Sequence, residues 1–262
     1  MTKIDPYSLA TVPVRQCYSA TTLGEATAFV WERRDTLYLI TNWHVVTCRN
    51  YTTGRHLANH AGEPNKLIAL FNPKERTLDK LTRDVSLRDA NEKPKWLVHP
   101  PHRHKVDVVA IPLSRSDGEV RFEPINKLDR DPLRVEIGMD VYVLGYPFGA
   151  PPPSLPVWKR GSIASEPQLA RLTQNYFLVD TASRPGMSGA PVIRRSWGSH
   201  LTESGTSLQS RGATKFVGIY SGRLATNDPL DAQLGIVWPE SLITEIIDAP
   251  TLDDAAAWST VD

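Results

Sequence analysis

Cysteine is nearly absent. The chain of 262 residues holds two, Cys17 and Cys48, too few for the stapled framework of a small secreted fold, and both read as reduced thiols, with a single disulfide as the alternative. No C-x-x-C or H-E-x-x-H spacing marks a metal site, so neither metal nor cofactor is expected. Charge of one sign is also missing: 30 Lys and Arg stand against 29 Asp and Glu, which leaves no global field to attract nucleic acid or an anionic membrane. No uninterrupted apolar run approaches the roughly 18 residues of a membrane span, and the opening MTKIDPYSLATVPV lacks the apolar core of a signal peptide. Together these absences predict a soluble, cytoplasmic protein without nucleic-acid or membrane partners.

Helical periodicity is scarce. It is clear only in PESLITEIID, where Leu242 and Ile246, and Ile243 and Ile247, recur at four-residue spacing behind Pro239; a weaker start lies at Asp5-Pro6. What the chain has in quantity is short β-like runs, among them ATAFVWER, TLYLITN, KLIALFN, VDVVAIPL, DVYVLGYP, YFLVDTA, APVIRR, KFVGIYS and LGIVWP. Many short strands at close spacing predict an all-β barrel or sandwich. The runs fall into two groups divided near residue 130, giving an N-terminal unit over 1–130, a C-terminal unit over 131–248 and an acidic tail over 249–262, expected to be mobile. PFGAPPPSLP and SWGSHLTESGTSLQSRGATK read as long loops.

TASRPGMSGAPVI holds Ser188 between glycines. Such a stretch is an ordinary surface turn unless the serine does chemistry. A hydroxyl presented at a sharp, side-chain-poor bend, with backbone N–H groups beside it, is what nucleophilic attack on a carbonyl requires. Serine alone is a weak nucleophile, so a base and an orienting acid must lie elsewhere. Among seven histidines, His44 follows a strand-like run in LYLITNWHVV, and Asp107 stands at the mouth of an apolar strand in HKVDVVAIPL. A carboxylate there is costly to bury unless its charge is met, and an imidazole N–H is a natural partner.

The order His44, Asp107, Ser188 among short strands is that of the chymotrypsin lineage. GEATAFVWERRDTLYLITNWHVV, DVVAIPL, VYVLGYPFG, VWKRGSIASEP, FLVDTASRPGMSGAPVI and FVGIYSG resemble, over residues 24–240, the matching segments of trypsin-like serine peptidases, bacterial Deg-type (HtrA-like) ones above all. The resemblance implies a double six-stranded antiparallel β-barrel with a short C-terminal helix and the site between the barrels. It also implies His44, Asp107 and Ser188 as a catalytic triad, and Gly186 and Ser188, with Met187 between them, as the oxyanion hole. Ser221 of GIYSG would touch Asp107, and Ala182, Ser183, Ser221, Gly222 and Arg223 would bind substrate.

Departures from the family pattern are informative. Met187 replaces the aspartate of activatable trypsins, Val45 replaces the cysteine after the histidine, and the PDZ domain of Deg-type proteases is not seen after the closing helix. Any regulator is therefore expected to be a separate protein, and the partner is otherwise a protein or peptide substrate. Ala182 offers no carboxylate, so Lys or Arg before the scissile bond is not expected. Small or medium apolar residues suit an exposed Arg223, acidic ones an inward Arg223. The alternatives to a general endopeptidase are a catalytically silent peptide-binding module and a processing protease of narrow specificity. The triplet His99, His102 and His104 reads as a His-Pro loop before the aspartate strand, not as a metal or nucleic-acid patch.

Overall fold

Apolar and β-branched side chains alternating with polar ones become strands in the computed structural model, 46% of the chain against 13% helix. The structure describes residues 4–57, 62–75, 79–128, 131–149, 154–182, 184–208, 211–224 and 233–258. The first half carries β1 (Thr11–Tyr18), β2 (Thr21–Arg33), β3 (Thr36–Thr41), β4 (Lys66–Pro73), β5 (Leu81–Ser86), β6 (Leu97–Val98), β7 (Val109–Leu113) and β8 (Val120–Arg121). The second carries β9 (Asp140–Gly145), β10 (Val157–Ile163), β11 (Phe177–Asp180), β12 (Pro191–Ser196), β13 (Ser199–Thr202), β14 (Gly205–Leu208), β15 (Ala213–Arg223) and β16 (Leu234–Pro239), and β17 (Thr251–Leu252) follows near the end.

In the second half, β10-β11-β16-β15-β12-β9 close into a six-stranded barrel around Val143, Ile163, Phe177, Val192 and Val237. The first half departs from the expected closed six-stranded barrel. Its strands form a nine-stranded sheet running β17-β6-β7-β3-β2-β1-β4-β5, with β8 beside β4, and no ladder joins its two ends among the described residues. Between β5 and β6 the pairing shrinks to the Arg88–Pro94 bridge. Proline has no N–H to extend a ladder there.

Two segments read as irregular are ordered. The polar stretch after β12 forms the hairpin β13–β14, whose Thr202 bridges to Leu133. The tail, expected to be mobile, instead adds β17 antiparallel to β6 and buries Asp253 and Trp258 against the first half. Residues 259–262 lie outside the described set, as do 150–153 of the proline-rich loop.

Three short α-helices lie among the described residues. α1 (Pro6–Ala10) is capped by the Asp5 carboxylate, which accepts the Tyr7 N–H. α2 (Trp43–Thr47) is a single turn directly after β3, where the sequence pattern shows only the end of a strand. α3 (Ser241–Asp248) buries Leu242, Ile243, Ile246 and Ile247 and returns to the first half, where Asp248 pairs with Arg33 at 2.6 Å. One apolar cluster spans both halves: Phe29 and Trp31 of β2 meet Phe216 of β15 at ring distances of 5.4 and 5.7 Å. That shared core holds β2 and β3 against β15, and the candidate site lies where those strands end.

Candidate active site

Asp107, two residues before β7, is fully buried. Its Oδ1 accepts the backbone N–H of His44 at 2.9 Å. Its Oδ2 lies 2.7 Å from His44 Nδ1 and also accepts the Ser221 hydroxyl. Asn42 Nδ2 donates to the Asp107 carbonyl at 2.7 Å, tying the residue before α2 to the same point. A carboxylate removed from water is tolerated when donors surround it, and here three side-chain or backbone donors do so. Bound in this way, a neutral imidazole carries its proton on Nδ1 and keeps the Nε2 lone pair.

His44 is half-buried on α2, between the end of β3 and the loop that follows. Ser188 is half-buried as well and is anchored from both halves: its carbonyl accepts the Thr27 N–H of β2 at 2.8 Å, and the next residue, Gly189, donates to Tyr220 O at 2.9 Å. Tyr220 directly precedes Ser221, which binds Asp107. One continuous set of hydrogen bonds therefore links the serine turn to the aspartate and the histidine. Gly189 has φ +81°, and a Cβ there would lie 2.1 Å from Thr27 O, so only glycine lets the turn sit this close to β2.

Three successive carbonyls of the serine turn are held. Pro185 O accepts from Phe148 N–H at 3.2 Å, Gly186 O from the Thr27 hydroxyl at 2.7 Å, and Met187 O from Ala190 N–H at 3.1 Å. In a trans peptide the N–H points opposite to the carbonyl before it. Gly186 N–H is thus turned away from Phe148, and Ser188 N–H away from Ala190. Met187 N–H is turned from Thr27 and donates to Arg184 O at 3.3 Å, while the Met187 side chain is buried in the second barrel.

The substrate-binding candidates are more scattered. Ser221 is buried, Gly222 half-buried, Ala182 and Arg223 are exposed, and Ser183 lies outside the described residues. Ala182 lines a narrow crevice, too tight to hold a water molecule, together with Val143, Lys159, Thr181, Met187 and Tyr220. Residues that sequence reasoning passed over include Asn42 and, above all, Thr27, fully buried in β2. The Thr27 hydroxyl also accepts the Tyr146 N–H at 3.2 Å, and its carbonyl accepts the Thr41 hydroxyl at 2.9 Å. A threonine inside the apolar run ATAFV was the available signal.

Of the histidine triplet, His99 Nε2 meets Glu245 Oε2 at 2.9 Å, His102 stacks on His99, and His104 packs on Trp43. Among the described residues no group of three or more His, Cys, Asp or Glu is placed to hold a metal ion. No described helix is long and apolar enough to cross a membrane.

The family model described as "Trypsin-like peptidase domain" matches residues 26–198. Among solved structures, the serine endoprotease from Yersinia pestis is 13% identical with a TM-score of 0.52, over 95% of this chain and 67% of that one. A protease of M. tuberculosis in its active form is 16% identical with a TM-score of 0.49, over 95% of this chain and 83% of that one. No curated protein matches by sequence.

Proposed function

Because the chain belongs to the trypsin-like serine peptidase family, we propose that it is an endopeptidase that works through His44, Asp107 and Ser188. The observation that carries this reading is the buried Asp107 carboxylate, bound at once by His44 Nδ1, the His44 backbone and Ser221. His44 Nε2 takes the proton of Ser188 Oγ as the oxygen attacks the scissile carbonyl. Asp107 holds the imidazole in the required tautomer and stabilises the imidazolium that results. The Gly186 and Ser188 N–H groups receive the negative oxygen of the tetrahedral intermediate, and Met187, whose N–H is engaged by Arg184, takes no part. The imidazolium then protonates the leaving amine, and water resolves the acyl-enzyme by the same steps in reverse.

The substrate is an extended protein segment. The backbone beyond Ser221, at Gly222 and Arg223, offers it a strand edge. Control acts on the serine turn: Pro185 O is held by the backbone of Phe148, whose side chain is 73% exposed, so a separate regulatory protein gripping Phe148 would reorient the Gly186 N–H.

The test is covalent labelling with a fluorophosphonate. Wild type should label and should cleave a denatured protein substrate, whereas Ser188→Ala should do neither while retaining its circular dichroism spectrum. Equal peptide binding by both proteins, with no labelling of wild type, would favour the silent binding module instead.

A further inference from the structure

We infer that Asp253, in the C-terminal segment, is a positioning residue for His44 and acts through the indole of Trp43. The inference rests on the assignment of His44 as general base. Asp253 is 6% exposed, and its Oδ2 accepts three indole N–H groups: Trp43 at 2.8 Å, Trp96 at 3.0 Å and Trp258 at 3.0 Å. Oδ1 accepts the Asp254 N–H at 2.9 Å, and the Asp253 N–H donates to Trp96 O at 3.2 Å. No cation forms an ion pair with this carboxylate among the described residues. Neutral donors alone therefore meet its charge, and removing any one leaves the others around a less satisfied buried anion.

The three indoles come from three places: α2, the residue before β6 and the end of the described chain. They pack on one another, Trp43 edge-on to Trp258 at 5.6 Å and Trp96 stacked on Trp258 at 6.1 Å. The segment is clamped from outside by β17 pairing with β6 and by the Arg49 guanidinium 5.6 Å from the Trp258 ring. A Cβ at Gly54, in the loop after α2, would lie 2.0 Å from Trp258 O, so that loop closes directly on the segment.

α2 needs such help. It is one turn long, and its N-cap Asn42 makes no side-chain capping bond, having turned its amide to Asp107. A single turn does not hold itself in water. Three external bonds fix the start of this one: Trp43 to Asp253, His44 N–H to Asp107 and the Asn42 amide to the Asp107 carbonyl. The first comes from a segment outside the 26–198 stretch that matches the family. If Trp43 is released, His44 keeps its bonds to Asp107 but loses one of the restraints that fix the helical turn carrying its imidazole. A displacement near 1 Å is enough to reduce turnover about a hundredfold.

The experiment compares full-length wild type with Asp253→Asn, Trp43→Phe and the double variant. Four quantities are followed: kcat and KM, the pH profile of kcat, the thermal midpoint, and the downfield proton NMR resonance of the His44 Nδ1–H bond to Asp107. Each single variant should lower kcat by about ten- to a hundredfold with little change in KM. It should also shift the acid limb of the profile and broaden or abolish the downfield resonance at temperatures where near-UV dichroism is native. The double variant should be no worse than the worse single, because both remove one bond. Native kcat, native pH profile and an intact resonance, with only a lower thermal midpoint, would overturn the inference. Should Asp253→Asn fail to fold, Trp43→Phe, which keeps an aromatic ring but removes the N–H together with the five-membered part of the indole, decides by the same measurements. A wild type that shows the resonance yet cleaves nothing would refute the catalytic reading, and the resonance in the variants would still decide the positioning one.

Discussion

Thr27→Val isolates a single hydroxyl at the centre of the proposed site. Thr27 is fully buried, and valine nearly matches its shape, so the change deletes two hydrogen bonds and little packing. Gly186 O loses its donor at 2.7 Å and Tyr146 N–H its acceptor at 3.2 Å, whereas the Thr27 backbone bonds to Ser188 and Thr41 persist. A buried polar group left unpaired costs about 1–3 kcal/mol, so two of them put the loss at about 2–6 kcal/mol. A domain with the usual 5–15 kcal/mol or so of stability survives most of that range. Catalysis should suffer separately, because the peptide after Gly186 is no longer tethered and the Gly186 N–H is less firmly aimed. The ceiling is the loss of one oxyanion donor, about a hundred- to a thousandfold in kcat. Urea unfolding measures the first effect and steady-state cleavage of a peptide the second. Thr27→Ser, which keeps the hydroxyl, should restore most of both. Thr27→Val with wild-type kcat, whatever its stability, would refute the claim that this hydroxyl orients the serine turn.

Ala182 offers no carboxylate, and the narrow crevice beside it, lined by Val143, Thr181, Met187, Tyr220 and the cation of Lys159, has no room for a long side chain, so a peptide library should show small, non-basic residues before the scissile bond. A preference for Lys or Arg there would be incompatible with that lining. Burial, and then the charge of Glu63, push the Cys48 thiol up to about 11. Iodoacetamide at pH 8 should therefore leave Cys48 unmodified until denaturant is added, as peptide mass spectrometry would read; rapid native alkylation would contradict it. Burial holds both His99 and His104 below the ordinary value of 6.5, so the unfolded chain takes up protons first as pH falls. The thermal midpoint should drop from pH 7 towards pH 5, less so in His104→Asn, and a midpoint flat across that window would show that neither histidine is linked to folding.

The serine turn was legible because nucleophile, glycines and flanking prolines are contiguous, and His44 and Asp107 because each ends or begins a strong apolar run. α2 was not. LYLIT ends as a strand and a single helical turn leaves no 3.6-residue period, so nothing local announces that Asn42 and Trp43 change direction. The hairpin β13–β14 buries the polar His200 and Thr202 and leaves Leu201 and Leu208 on its other face, so no apolar alternation marks a buried face. Asp253 was hidden for another reason: DDAAAW has the composition of a solvated tail, and its burial depends on Trp43 and Trp96, which lie 210 and 157 residues away. Strand count predicted only a barrel or sandwich, and the double barrel came from the family resemblance; neither says whether the two edges of the first sheet find hydrogen-bonding partners.

Division of labour between the two halves explains why the site is built from so many polar residues. The shared core of Phe29, Trp31, Ile40, Phe216 and Trp238 supplies adhesion, but apolar contact is non-directional and tolerates sliding. Register across the interface requires directional bonds. Thr27 to Gly186 and Ser188, and Ser221 to Asp107, cross between the halves at the point where chemistry is proposed. Each of these bonds is buried, so breaking one leaves unpaired groups that water cannot reach, and the halves have one low-energy alignment. The same logic places the Asp253 carboxylate behind α2: a further directional contact, from the end of the described chain, helps fix the only part of the proposed triad that stands on a helix too short to orient itself.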